Sequence, residues 1–79
     1  MRSKFHNDEI IWRKQFGNKL KRLIHLKDMT QCEFAKESGI DETVLSKYIT
    51  GSRMPSPYRI RHIAKILNCD ISCLFDVDN

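Results

Sequence analysis

A chain of 79 residues, 41% hydrophobic and 30% charged, has room for one small domain and none for a deep catalytic cleft. The net charge of +4 is unevenly spread: eight Lys/Arg against two acids in residues 1–27, one against five in 28–45, five against none in 46–65, and none against three in 66–79. Two basic blocks around an acidic one suit a phosphate-bearing partner if the fold brings them to one face, and no apolar run approaches the roughly 20 residues of a membrane span.

The opening MRSKFHNDEI is positively charged with no apolar stretch behind it, so it does not read as a secretory signal, and a cytoplasmic location is expected. Residues 1–6 read as a flexible basic arm of a single domain spanning 1–79. Asn7 or Asp8 is the expected cap of a long first helix, with Asp8 and Glu9 in its first turn. Trp12, Phe16, Leu20, Leu23 and Ile24 recur at three- and four-residue steps and form one apolar stripe. Gly17 interrupts it at a modest propensity cost, a place for another helix to come close.

Thr30-Gln31-Cys32-Glu33 is a capping box and opens a second helix. Gly39 ends it, because glycine takes positive φ without steric cost. Asp41 caps a third helix whose apolar side is Val44, Leu45, Tyr48 and Ile49, and Gly51 stops it. After the loop SRMPS, Ser56-Pro57 is a start signal with serine as cap and proline at the first helical position. Ile60, Ile63, Ala64 and Leu67 are the buried stripe of this fourth helix, and Asn68 is a left-handed stop. Asp70 caps a last short helix carrying Ile71, Leu74 and Phe75. No strand pattern competes, so the fold class is all-α with five helices.

Cys32, Cys69 and Cys73 are odd in number and expected to stay reduced. No histidine lies near the 69/73 pair, so the cysteines read as buried or half-buried small apolar groups, with no metal and no cofactor. His6, His25 and His62 are scattered, and no acid–base or nucleophile set points to an enzyme.

The second and third helices are too short to stand alone in water, so packing must hold them. Phe34, Ile40, Leu45 and Tyr48 anchor them inward, Ala35 permits a close crossing, and Gly39 makes the sharp turn. The outer face of the third helix is then exposed and rigid, the shape that fits a DNA major groove. At these residues the chain resembles the Cro/phage-repressor type, or xenobiotic-response-element, family of helix-turn-helix domains. LKRLIHLKDMTQCEFAKESGI, VLSKYITGSRMPS and IAKILNCDISCLF carry the resemblance, from about Phe16 to Phe75.

The resemblance implies a compact five-helix lambda-repressor-like DNA-binding domain, with the helix-turn-helix at about 30–50. It also implies a homodimer on palindromic double-stranded DNA. It places Glu42, Thr43, Ser46 and Lys47 as base contacts, and Gln31, Arg53 and Ser56 at phosphates. Lys47 can donate to guanine, Thr43 can meet a base edge or a thymine methyl, and Glu42 can accept from cytosine. Many members carry an acid where this chain has Ile49. Two outcomes stay open: Lys21 is freed to contact phosphate, or Ile49 widens the core. Ile71, Phe75 and Val77 are the candidate dimer interface, and Trp12 reads as a core residue or interface anchor. The expected function is a sequence-specific transcriptional regulator, acting as a repressor that occludes a promoter without catalysis. The alternative is a protein-interaction module, or an antitoxin-like partner-dependent regulator, with the same fold. Asp41 and Glu42 favour that alternative by setting negative charge where DNA would arrive.

Overall fold

The computed structural model describes the backbone of residues 2–75 and the side chains of residues 9–75. Those residues form five helices and no strand: α1 (Arg2–Leu26), α2 (Gln31–Ser38), α3 (Glu42–Thr50), α4 (Pro57–Ile66) and α5 (Ile71–Phe75). Val77 lies outside the described residues.

The start of α1 differs from the sequence reading. The helix begins at Arg2, so it takes in residues assigned above to an arm, and Asn7 and Asp8 lie within it rather than at its cap. No proline or glycine precedes Asn7 to stop the helix running toward the N-terminus. At 25 residues α1 is about 37 Å long at 1.5 Å per residue. It therefore accounts for most of the molecule's 41 Å long axis.

Most of the other termini follow the sequence. At α2, Thr30 Oγ1 accepts the Glu33 N–H at 3.1 Å, and the Glu33 carboxylate accepts the Thr30 N–H at 2.8 Å. At α3, the Asp41 carboxylate accepts the Thr43 N–H at 3.0 Å. At α4, Ser56 Oγ accepts the Arg59 N–H at 3.2 Å, with Pro57 in the first turn. Such caps each contribute about 1 kcal/mol. Gly39 sits at φ 76° and Gly51 at φ 85°, closing α2 and α3 in the left-handed region. Asn68 does the same after α4 at φ 57°. There the Cys69 N–H donates to Ala64 O and the Asn68 N–H to Lys65 O, the paired bonds of a Schellman motif. Asp28, which the sequence reading passed over, ends α1 identically: φ is 58°, Met29 N–H donates to Ile24 O and Asp28 N–H to His25 O. At α5 it is the Asp70 carbonyl that accepts the Cys73 N–H, at 3.0 Å.

One core joins all five helices. Phe16, Leu20 and Ile24 of α1 meet Phe34 and Ala35 of α2, Leu45 and Tyr48 of α3, Ile60, Ile63 and Ala64 of α4, and Leu74 of α5. Ile40 and Leu67 enter from the connections. Burying each large side chain contributes about 1.5–3 kcal/mol, which offsets the ordering cost of helices as short as eight and nine residues. The stripe read along α1 departs from this core at its N-terminal end. Trp12 remains 44% exposed and Leu23 is half-buried. Cys32 and Cys73 are exposed rather than buried, and Cys69 is half-buried. Burial raises the Cys69 thiol pKa above its usual range, and the neighbouring Cys73 adds to that shift.

Gly17 sets the approach of α1 to α3. A Cβ there would press on the carbonyl oxygens of Ile49 and Tyr48, 2.6 Å from the latter. Ile49 itself packs half-buried against the core, and Lys21, one turn along α1, is exposed. Gly17→Ala gains about 1 kcal/mol of helix propensity but forces two helices apart, an overpacking cost of about 1–3 kcal/mol. The expected outcome is net destabilisation in chemical denaturation, with Asn18→Ala on the exposed face of the same turn neutral or stabilising. Equal stability of Gly17→Ala and the parent would contradict this packing.

Candidate nucleic-acid interface

The turn between α2 and α3 is built from local bonds. Ser38 is buried, its hydroxyl donating to Ala35 O at 3.3 Å and accepting the Ile40 N–H at 3.2 Å. Gly39 turns the chain, and Ile40 is driven back into the core at 4% exposure. A third tie comes from α4: His62 Nε2 lies 2.8 Å from the Ser38 carbonyl oxygen. In the neutral ring with Nε2 protonated, that nitrogen donates the bond. The angle between α2 and α3 is thereby held by side chains as well as by the glycine.

With Leu45 and Tyr48 buried, the opposite face of α3 points outward. Glu42, Thr43 and Lys47 are exposed and Ser46 is half-buried. Together with Gln31 they line one shallow cleft of about 450 Å³. Five of the residues singled out in the sequence therefore meet in one place. Gln31 is the first residue of α2, where free backbone N–H groups and the helix dipole favour an anion.

Arg53 and Ser56 stand outside that cleft but are tied to its end. The Lys47 carbonyl accepts N–H bonds from Gly51, Ser52 and Arg53, at 3.1, 3.0 and 3.2 Å. The loop after α3 is thus wrapped onto the last turn of the helix, and exposed Arg53 begins beside Lys47 in the backbone. The Ser56 oxygen is engaged as a cap, which leaves its O–H free to donate outward. Lys21 is exposed on α1 and does not line the cleft.

The acids weigh less against an anionic ligand than their number suggests. Asp41 and Glu33 are each committed to a backbone N–H at a helix start. Glu42, in the first turn of α3, faces the cleft and is the carboxylate a ligand would meet there.

α5 rests on α1 through aromatic rings. Phe75 stacks on Trp12 with centroids 5.2 Å apart and planes 14° apart, and packs against Phe16 at 5.5 Å. Ile11, Trp12 and Ile71 stay 52%, 44% and 40% exposed. The apolar C-terminal segment marks Ile71 and Phe75, and no pattern in the sequence marks Ile11. Ile11 sits one position off the stripe, so only its adjacency to Trp12 could have flagged it.

Comparison with known proteins agrees with this geometry. A helix-turn-helix family model (HTH_3) matches residues 19–72, more than half of the chain. A similar solved structure is the restriction-modification controller protein C.AhdI from Aeromonas hydrophila, at 28% identity and a TM-score of 0.75. That match covers 80% of this chain and 96% of the controller. No curated protein matches the chain. None of the described helices is long and apolar enough to cross a membrane. A capped, buried α2–turn–α3 unit with an outward polar face, matched over that same unit, places the chain in the helix-turn-helix family: it is a DNA-binding regulator of transcription.

Proposed function

We propose that the protein is a repressor that binds an inverted-repeat operator as a homodimer and acts by occupying DNA, without catalysis or cofactor. The observation that carries this reading is the cleft shared by Gln31, Glu42, Thr43, Ser46 and Lys47 on the outward face of α3. In this role α3 lies in the major groove. Lys47, Thr43 and Ser46 meet base edges, and Glu42 accepts from a cytosine amino group. Gln31, Arg53, Ser56 and Lys21 take phosphates and fix the register.

The dimer reading rests on exposed apolar side chains of α1 and α5, namely Ile11, Trp12 and Ile71, with Phe75 stacked on Trp12. One nine-residue helix reads only a few base pairs, and a two-fold partner sets a second reader about one DNA turn away. An exposed aromatic side chain is a common anchor at the centre of an interface. The likeness to C.AhdI favours a restriction-modification controller over a phage-type repressor or an antitoxin. The interaction-module reading keeps only Glu42 in its favour, because Asp41 is committed as a helix cap.

Three measurements test this. Lys47→Ala should weaken binding to the preferred site by about 1–3 kcal/mol and relax base preference at one position. Unchanged affinity and preference would remove α3 as the reader. Arg53→Ala should weaken binding to every duplex alike and make the salt dependence shallower, by about 0.9 in the log–log slope. A changed base preference with an unchanged slope would contradict a phosphate role. Trp12→Asp should shift sedimentation equilibrium to the monomer with helix content retained. A persistent dimer would move the interface elsewhere.

A further inference from the structure

The outward side of α4 carries a strip that the contacts above do not use. Tyr58 is 80% exposed, a large aromatic ring left in solvent. Arg61 and Lys65 are exposed on the same side, and the three residues share a cleft of about 490 Å³ with His62. The spacing explains the alignment, since residues i, i+3 and i+7 fall on one helix face.

Three observations say what this strip fits. First, its cations lack acid partners: the ion pair found among the described residues is Glu9–Arg13, on α1. Residues 46–65 hold five Lys/Arg and no acid, so no carboxylate in that block offsets them. Second, the strip continues from the DNA-binding elements. It lies on the helix that Ser56 caps, just after the loop carrying Arg53. Third, it is held to the helix-turn-helix on two flanks. His62 lies on the Ser38 carbonyl, and an Arg59 guanidinium N–H donates to the Tyr48 hydroxyl at 3.5 Å.

We infer that Tyr58, Arg61 and Lys65 form a second phosphate-binding strip, which takes the DNA backbone beside the segment read by α3. The inference rests on DNA binding through α3. Tyr58 to Lys65 spans about 10 Å along the helix, a length that matches about three phosphates if laid along one DNA strand at about 3.4 Å of axis each. Tyrosine hydroxyl, guanidinium and ammonium groups all donate to phosphate oxygens. These contacts read no bases, so they add affinity and salt dependence rather than sequence preference.

The test compares the full-length protein with its Arg61→Ala/Lys65→Ala double variant on a mixed-sequence duplex of about 30 base pairs, titrated from about 50 to 200 mM salt. The expected result is a log–log slope shallower by about 0.9 per lost contact, with base preference on selected sites unchanged. Arg61→Lys/Lys65→Arg, which keeps both charges, should restore the slope. Lys47→Ala is run alongside. If Lys47→Ala loses preference while the double variant keeps the parent slope and melting curve, the strip does not touch DNA and the inference falls alone. In that case the charge serves another partner, such as an acidic polypeptide. If neither variant alters DNA binding, the reading of α3 falls as well.

Discussion

The close approach of α1 to α3 at Gly17 is the contact on which the rest of the molecule depends. An isolated nine-residue helix is marginal in water, so α3 cannot present a rigid face by itself. With no side chain at Gly17, the backbone of α1 lies against the Tyr48 and Ile49 carbonyls, and the long helix becomes a brace. A second close contact, between Gly51 and Lys14, continues the brace past the end of α3. Leu45 and Tyr48 then fill the core from one side of α3, and Thr43 and Lys47 are left on the other. Rigidity of the outward face follows from burial of the inward one.

Charge follows the same division. The acidic block of residues 28–45 is drawn largely into making helix ends. Glu33 and Asp41 hold backbone N–H groups, and Asp28 closes α1 in the left-handed region. The bases of residues 46–65 are free of such duties apart from Arg59, which reaches Tyr48. Acids bonded at helix N-termini are partly offset by the local dipole, whereas exposed Lys and Arg project their charge outward. A sequence of +4 thus presents a more basic face to DNA than its total implies.

Much of this was legible in the sequence because the signals are local. Thr30 with Glu33, Gly39, Asp41, Gly51, Ser56-Pro57 and Asn68 each act within about five residues, and each stands where its chemistry placed it. The cleft residues of α3 could be read because two buried positions on a short helix, Leu45 and Tyr48, fix the remaining face. The start of α1 was not legible: nothing forbids a helix before Asn7, and the absence of a breaker is a weaker signal than a cap. Trp12 was legible only as core or interface anchor, and its 44% exposure removes the core reading. Periodicity gives the face of a helix but not where the core ends along it, and α1 outruns the core. The ties between His62 and Ser38, and between Arg59 and Tyr48, join residues 24 and 11 apart, which no local pattern encodes. Asp28 takes a left-handed stop more often given to glycine or asparagine, so residue type alone did not mark it.

The central claim is that α3 reads DNA sequence as one half of a symmetric pair. Selection of bound duplexes from a randomised pool by the purified protein, near physiological salt, tests it most directly. The account predicts enrichment of an inverted repeat with half-site centres about one helical turn, roughly 34 Å, apart. A folded protein that enriches no sequence, or only a single unrepeated site, would contradict it.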